Sequence, residues 1–231
     1  MQPALEDIST AGYDESAYSL REKGYSPEPI RDAAWELAGK YACGRVVEIG
    51  SGAGGWIKRL QRNPDVERVT AVDIVDDGAS ILDGVDFHLL DVSSSPLPCA
   101  SESVDWVFAV EVIEHLANPR NFMKEAHRCL KSGGRMLITT PCNESVTARL
   151  SFLFRGYFPA FCEHDYRMSG HITPVTELDI KRMAGEVGFG RVEFSYPLPG
   201  RIPKTAVAWQ RLVPSLKGKL WSDTLFALLT K

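Results

Sequence analysis

Between positions 48 and 55 the chain reads Glu-Ile-Gly-Ser-Gly-Ala-Gly-Gly, and two glycine spacings overlap there. Gly50, Gly52 and Gly55 make G-x-G-x-x-G, the pattern that lets backbone amides at a helix N-terminus approach a pyrophosphate. Glu48 followed by Gly50, Gly52 and Gly54 makes an acid with G-x-G-x-G, which suits a loop facing a positive ligand. Under either spacing Asp73, about twenty residues past the loop, stands where a carboxylate grips ribose hydroxyls. Glu48 separates the two: a carboxylate at the mouth of the loop repels a pyrophosphate and attracts an ammonium group. Asp91 adds an acceptor for an adenine amino group, and Glu111 is a fourth acid after a strand-like run. The implied ligand is a nucleoside with a cationic tail and no phosphate.

Proton chemistry has three histidine candidates. His115, in the run Glu111-Val-Ile-Glu-His-Leu116, follows the fourth strand-like segment, and a neutral imidazole there suits general-base catalysis near pH 7. His164 and His171, with Asp165, lie in an insertion suited to a substrate lid, and each is an alternative base or orienting group. A metal at Cys162, His164 and His171 is not expected, because the fourth ligand is missing and the spacing matches no structural zinc pattern. Tyr13 and Tyr18 sit in a polar N-terminal segment that could fold over a cofactor and offer aromatic faces to a cation. Trp56, just past the glycines, reads as core.

These residues need elements to hold them. The first reading is a helix from Ser26-Pro27 to about Tyr41, stopped at Gly44. Short β-branched runs follow at 45 to 49, 68 to 73, 85 to 91, 104 to 110 and 135 to 140. Helical or turn-rich stretches separate them, as in βαβ units around a parallel sheet. A helix opens at Asn118-Pro119, buries Phe122, Ala126, Cys129 and Leu130, and ends at Gly133-Gly134. Thr176 to Asp179 resembles a capping box for a helix that Gly188 closes. The runs 189 to 196 and 205 to 212 then read as an antiparallel hairpin at a sheet edge.

Composition sets outer bounds. The 231 residues suffice for one domain, with 44% hydrophobic and 24% charged residues. A net charge of -4 offers no general attraction for nucleic acid. Five cysteines without C-x-x-C fit a reducing compartment, and the N-terminus lacks a signal-peptide pattern, so a cytoplasmic protein is expected. The aromatic stretch 149 to 161 and the basic residues after Gly200 (Arg201, Lys204, Arg211, Lys217, Lys219, Lys231) suggest peripheral membrane contact. The competing account, preferred here, packs the stretch on the domain as a lid.

In order from Val46 to Pro141 stand VVEIGSGAGGW, AVDI, LLDVSSSPLP, SVDWVFAVEVIEHL and LKSGGRMLITTP. In these motifs the chain resembles the class I S-adenosylmethionine-dependent methyltransferases. The resemblance implies a Rossmann-like, doubly wound α/β fold with a seven-stranded, mostly parallel sheet and an antiparallel C-terminal edge hairpin. It also implies that Gly50, Ser51, Gly52 and Gly54 pass under the cofactor, that Glu48 faces its methionine end, that Asp73 and Ile74 meet ribose, and that Asp91 and Val92 flank adenine. Glu111 and Tyr18 complete the expected cofactor contacts. The segment GYFPAFCEHDYRMSGHITPVTELDIKRMAGEVGF is similar to bacterial enzymes of glycan and cell-envelope biosynthesis. A small-molecule or glycan hydroxyl is therefore the expected acceptor.

The whole chain is read as one methyltransferase domain. It divides into an N-terminal cap and helix (1–44), a cofactor core (45–141), a lid or acceptor insertion (142–175) and a C-terminal helix, hairpin and basic tail (176–231). The alternatives are a non-catalytic cofactor-binding scaffold of the same fold, and an NAD-dependent oxidoreductase, which Glu48 disfavours.

Overall fold

A computed structural model describes residues 26–203 and 205–231. Tyr13, Tyr18 and Lys204 lie outside the described residues. The elements are α1 (Glu28–Leu37), β1 (Gly44–Ile49), α2 (Gly55–Gln61), β2 (Val66–Asp73), β3 (Val85–Leu89), β4 (Val104–Val110), α3 (Pro119–Cys129) and β5 (Leu130–Pro141). There follow α4 (Val146–Arg155), α5 (Glu163–Ser169), α6 (Glu177–Val187), β6 (Arg191–Ser195), α7 (Trp209–Leu212) and β7 (Thr224–Thr230).

The seven strands form one sheet in the order β3-β2-β1-β4-β5-β7-β6. Strands β1 to β5 pair in parallel, and β7 runs antiparallel to both β5 and β6. The chain order reverses between β1 and β4, and at such a point the loops beyond the strands splay apart and leave a crevice.

Alternation along the strands sends side chains into two apolar layers. Trp106 and Phe108 of β4, Leu137 of β5 and Phe226 of β7 face a layer closed by Ile30 and Ala34 of α1 and by Trp56, Ile57 and Leu60 of α2. Val107 and Ala109, Met136 and Ile138, and Leu225, Ala227 and Leu229 face the other layer, closed by Phe122, Met123 and Ala126 of α3 and Ile180 and Met183 of α6. Two covered faces explain why the central strands read as continuous apolar runs. Trp56 is core, as its position suggested.

Several boundaries differ from the sequence reading. Helix α1 stops at Leu37 and a 3-10 turn (Gly39–Tyr41) finishes the approach to β1, while Ser26 makes no capping bond because Pro27 occupies the cap. Helix α3 gives way at Leu130 directly to β5, so Gly133-Gly134 lies inside the strand rather than ending the helix. The capping box is as expected: Thr176 and Asp179 bond reciprocally, and Gly188 closes α6 in the left-handed conformation.

The larger correction concerns the hairpin. Residues 205–212 form no strand; they carry the four-residue α7 and one isolated bridge, Arg201 with Ala208. The strand that pairs with β6 is β7, the segment Thr-Leu-Phe-Ala-Leu-Leu-Thr. The reason is burial. A strand inserted between β5 and β6 needs apolar side chains on both faces, which β7 supplies and 205–212, with no buried residue, does not.

The basic tail is accordingly no free tail. Arg201 pairs with Asp223, Lys219 with Glu144 and Glu177, and Lys231 donates to the carbonyls of His127 and Leu130. The stretch 149–161 differs too: Phe152 stacks on Phe158, yet Phe152, Leu153 and Phe154 are 53%, 71% and 78% exposed. Among the described residues no helix is long and apolar enough to cross a membrane.

Candidate active site

A cleft opens beyond the carboxyl ends of β1, β2 and β4, at the reversal in strand order. Its floor is the glycine loop. Gly50, Gly52 and Gly54 have φ of +74°, +48° and +75°, the left-handed region that a side chain disfavours. At Gly50 a Cβ would come within 2.7 Å of Val112 Cγ2, so the loop packs directly on the turn after β4. Gly54 caps α2 beneath the cleft without lining it.

Asp73 does two things at the end of β2. Its Oδ2 accepts the Gly52 N–H at 2.8 Å and its Oδ1 accepts the Val75 N–H at 3.2 Å. The carboxylate thus ties the glycine loop down while facing the cleft, and burial raises its pKa although these amides oppose the rise. Glu48, at the end of β1, is 6% exposed, and its Oε2 has no hydrogen-bond partner. Burial, and then the like charge of Asp73, push its pKa well above the usual carboxylate range, with Arg31 pulling the other way. An incoming ammonium group would restore the charge that burial suppresses.

Ser51, Ile74, Asp91, Val92 and Glu111 also line the cleft. Asp91 is partly committed, accepting the Ser93 N–H at 2.7 Å and the Ser94 hydroxyl at 2.8 Å. Arg31 and Ser93 line it as well. Neither was expected; a basic residue on the helix before the glycines was the available signal for Arg31.

At the β4 end the polar groups are side chains. Glu111 takes φ of +56°, a backbone strain of roughly 1 to 3 kcal/mol for a non-glycine residue. The Thr139 hydroxyl holds it there, accepting its N–H and donating to its Oε1, both at 2.9 Å. Burial raises the Glu111 carboxyl to about 7.

The chain then makes a 3-10 turn, Ile113–His115, that carries Glu114 and His115. The Glu114 carbonyl accepts the N–H groups of Ile172 and Thr173 at 3.0 and 2.9 Å, and Thr173 Oγ1 donates to the Leu116 carbonyl at 2.6 Å. These bonds stitch the segment after α5 onto the turn and set His171 edge-on to His115, with ring centroids 4.8 Å apart.

His115 lines the cleft, its Nδ1 3.3 Å from the Gly170 carbonyl; burial, then the facing His171, lower its pKa to about 4. An imidazole that acidic is uncharged at neutral pH and takes a hydroxyl proton poorly. His171 is also pushed down by burial, and its Nδ1 lies 2.6 Å from the Ala160 carbonyl. His164 is exposed on α5 and does not line the cleft, and Asp165 caps α5 by accepting from Cys162. The expected histidine set therefore separates: two meet and the third stands apart. Glu114, not singled out in the sequence, is fully buried beside them.

An open sheet with this strand order, a glycine loop under a cleft and acids at successive strand ends together define a class I nucleoside-binding methyltransferase fold. A family model described as a methyltransferase domain matches residues 20–193, and the chain belongs to that family, the S-adenosylmethionine-dependent methyltransferases. Over 177 residues it is 28% identical to squalestatin hexaketide synthase from Phoma sp., a match covering 69% of this chain and 7% of that one. It is also 28% identical over 131 residues to the chloroplastic 2-methyl-6-phytyl-1,4-hydroquinone methyltransferase 1 of Oryza sativa subsp. japonica, covering 51% and 37%. The chain thus spans well under half the length of either relative. Among solved structures, a SAM-dependent methyltransferase from Archaeoglobus fulgidus superposes with a TM-score of 0.65 at 17% identity, covering 94% of this chain and all of that one, which is a likeness of fold.

Proposed function

We propose that the cleft binds S-adenosylmethionine and delivers its methyl group to a hydroxyl of a small-molecule or glycan-type acceptor. Glu48 faces the ammonium group of the methionine end, the loop from Gly50 to Gly54 underlies it, Asp73 receives the ribose hydroxyls, and Asp91 and Val92 flank adenine. Glu111 and His115 border the space left for the acceptor, with His171 packed against His115. The observation that carries this reading is the buried, partnerless Glu48 oxygen at the mouth of the glycine loop. Such a group is costly to keep without a cation, so the cleft favours a cationic guest over a phosphate-bearing one.

Transfer from a sulfonium is an in-line displacement, and alignment of donor and acceptor removes much of the barrier. The polar β4 end suits an oxygen acceptor, because its groups can hold a hydroxyl without having to discharge an ammonium. Calorimetry with S-adenosylhomocysteine and NAD tests the donor: binding of the first alone is expected, and tight NAD binding in its place refutes it. Release of S-adenosylhomocysteine across matched hydroxyl and amine acceptors tests the oxygen, which fails if only amines turn over. Peripheral membrane contact through exposed Phe152, Leu153 and Phe154 is part of the proposal, and co-sedimentation with anionic liposomes checks it.

A further inference from the structure

One carboxylate and two imidazoles converge beside the β4 end of the cleft, where His115 lines the wall and Glu114 and His171 stand behind it. The ligating atoms of Glu114, His115 and His171 all lie within 4.8 Å of one another. We propose that these three residues form a divalent-cation site at the acceptor end of the cleft, and that the cation holds the acceptor's oxygen. The proposal rests on the methyl-transfer reading above and adds to it the means of activating the acceptor.

The first observation is geometric. Two ligands about 2.2 Å from a common ion stand at most about 4.4 Å apart, so a trio this close needs only slight rotation to share one. Two segments over fifty positions apart in sequence are held together to make it, through the bonds from Ile172 and Thr173 to the Glu114 carbonyl. The His171 N–H at Nδ1 is directed at the Ala160 carbonyl, which leaves the Nε2 lone pair as the donor. That is how an outer carbonyl orients a ligating histidine.

The second observation is independent of that spacing. Glu114 is 0% exposed, and neither carboxylate oxygen receives a hydrogen bond, although the Thr140 hydroxyl stands beside it. Among the described residues neither Glu114 nor the nearby Glu111 forms a salt bridge with a lysine or arginine. Two buried carboxyls without a counter-charge are costly, and a divalent cation between Glu114 and the histidines answers that cost. This set shares only His171 with the Cys162, His164 and His171 grouping dismissed from the sequence. In that grouping the Cys162 thiol bonds Asp165 and His164 is exposed.

Three protein ligands leave coordination positions open, as a site that handles substrate requires. Two imidazoles favour manganese, iron, cobalt or zinc over calcium or magnesium. The acceptor is then an alcohol, phenol or sugar hydroxyl that coordinates through oxygen. Coordination acidifies it, and its proton passes to solvent water. The oxygen lone pair forms the new O–CH3 bond as the C–S bond breaks, and that bond's electron pair stays on sulfur. A sulfonium and an alcohol become a thioether, a methyl ether and one proton.

The test uses chelator-treated protein titrated with Mn2+ and with Co2+, read by calorimetry and by the visible bands of Co2+ bound to imidazole. One tight site per chain is expected, with Ca2+ giving none. Glu114→Gln and His171→Ala should each weaken it by more than about tenfold, while His164→Ala leaves it within about twofold. Because Glu114→Gln alters a buried position, circular dichroism checks its fold, and His171→Ala, on a part-exposed segment, tests the site without that complication. Absence of a Mn2+ or Co2+ site, or a site indifferent to both substitutions, overturns the proposal. S-adenosylhomocysteine titrated into the same samples separates the two readings. If it binds and the metals do not, the cation site alone falls; if it does not bind, the methyl-transfer reading falls first.

Discussion

At the β1 end of the cleft a carboxylate is tied to main-chain amides of its own βαβ unit, as in Gly52 N–H to Asp73, with Glu48 beside it. At the β4 end Glu111 and His115 line the cleft, and Glu114 and His171, the latter from a distant segment, stand behind them. The first arrangement is local, since three glycines allow the left-handed path and Asp73 holds it from the next strand. The second exists only when residues 170–173 are docked on the turn after β4. Under the proposed methyl transfer the first would serve the donor and the second the acceptor, because side chains on an excursion can change without disturbing the sheet.

The sharpest way to break this division is Gly50→Val. A Cβ there meets Val112 at 2.7 Å in a backbone region hostile to β-branched residues, so cofactor affinity should fall by more than about 100-fold in calorimetry. Glu48→Gln comes next. Affinity for S-adenosylhomocysteine, which keeps the ammonium group, should drop about tenfold, while that for adenosine, which lacks it, stays unchanged.

The same change has an opposite effect on the free protein. The Glu48 pKa is raised on folding, so the native state holds a proton that the unfolded chain loses near its ordinary carboxylate pKa. Stability therefore declines as pH rises from about 4.5 toward the raised value, and Glu48→Gln should flatten that decline in a series of melting curves. Thr173→Val, which removes the bond to the Leu116 carbonyl, should lower turnover roughly threefold to tenfold with cofactor affinity intact, since one hydrogen bond is worth about 1 kcal/mol. The smallest effect belongs to His164→Ala, which should change turnover less than about twofold, because exposed positions away from a site tolerate replacement.

The two ends also differ in how far the residues announced them. Glu48, the glycines and Asp73 lie within one βαβ unit, where spacing and backbone demand are written in neighbouring positions. Glu114 is hidden inside an apolar run, Val-Ile-Glu-His-Leu, and only the docking of residues 172 and 173 makes it part of a site. His164 and His171 are equivalent in a sequence, and their separation into exposed and half-buried depends on α5, whose turn carries one outward.

In the fold, β1 to β5 were legible because each is a β-branched run between turn signals. Strand β7 was not, since it follows a basic, proline-broken stretch in which Arg201 and Lys219 find their partners, Asp223 and Glu144, only in the folded chain. Run 205–212 has strand-like composition, but no neighbouring strand offers it a place to bury.

The Glu114 carbonyl that receives two amides from the excursion has one more implication. Both links end on one oxygen, so lifting the excursion off the turn breaks the Ile172 and Thr173 bonds together. A foreign loop grafted between α5 and α6 would have to restore that double stitch, which makes residues 172 and 173 the seam along which this fold could be recut.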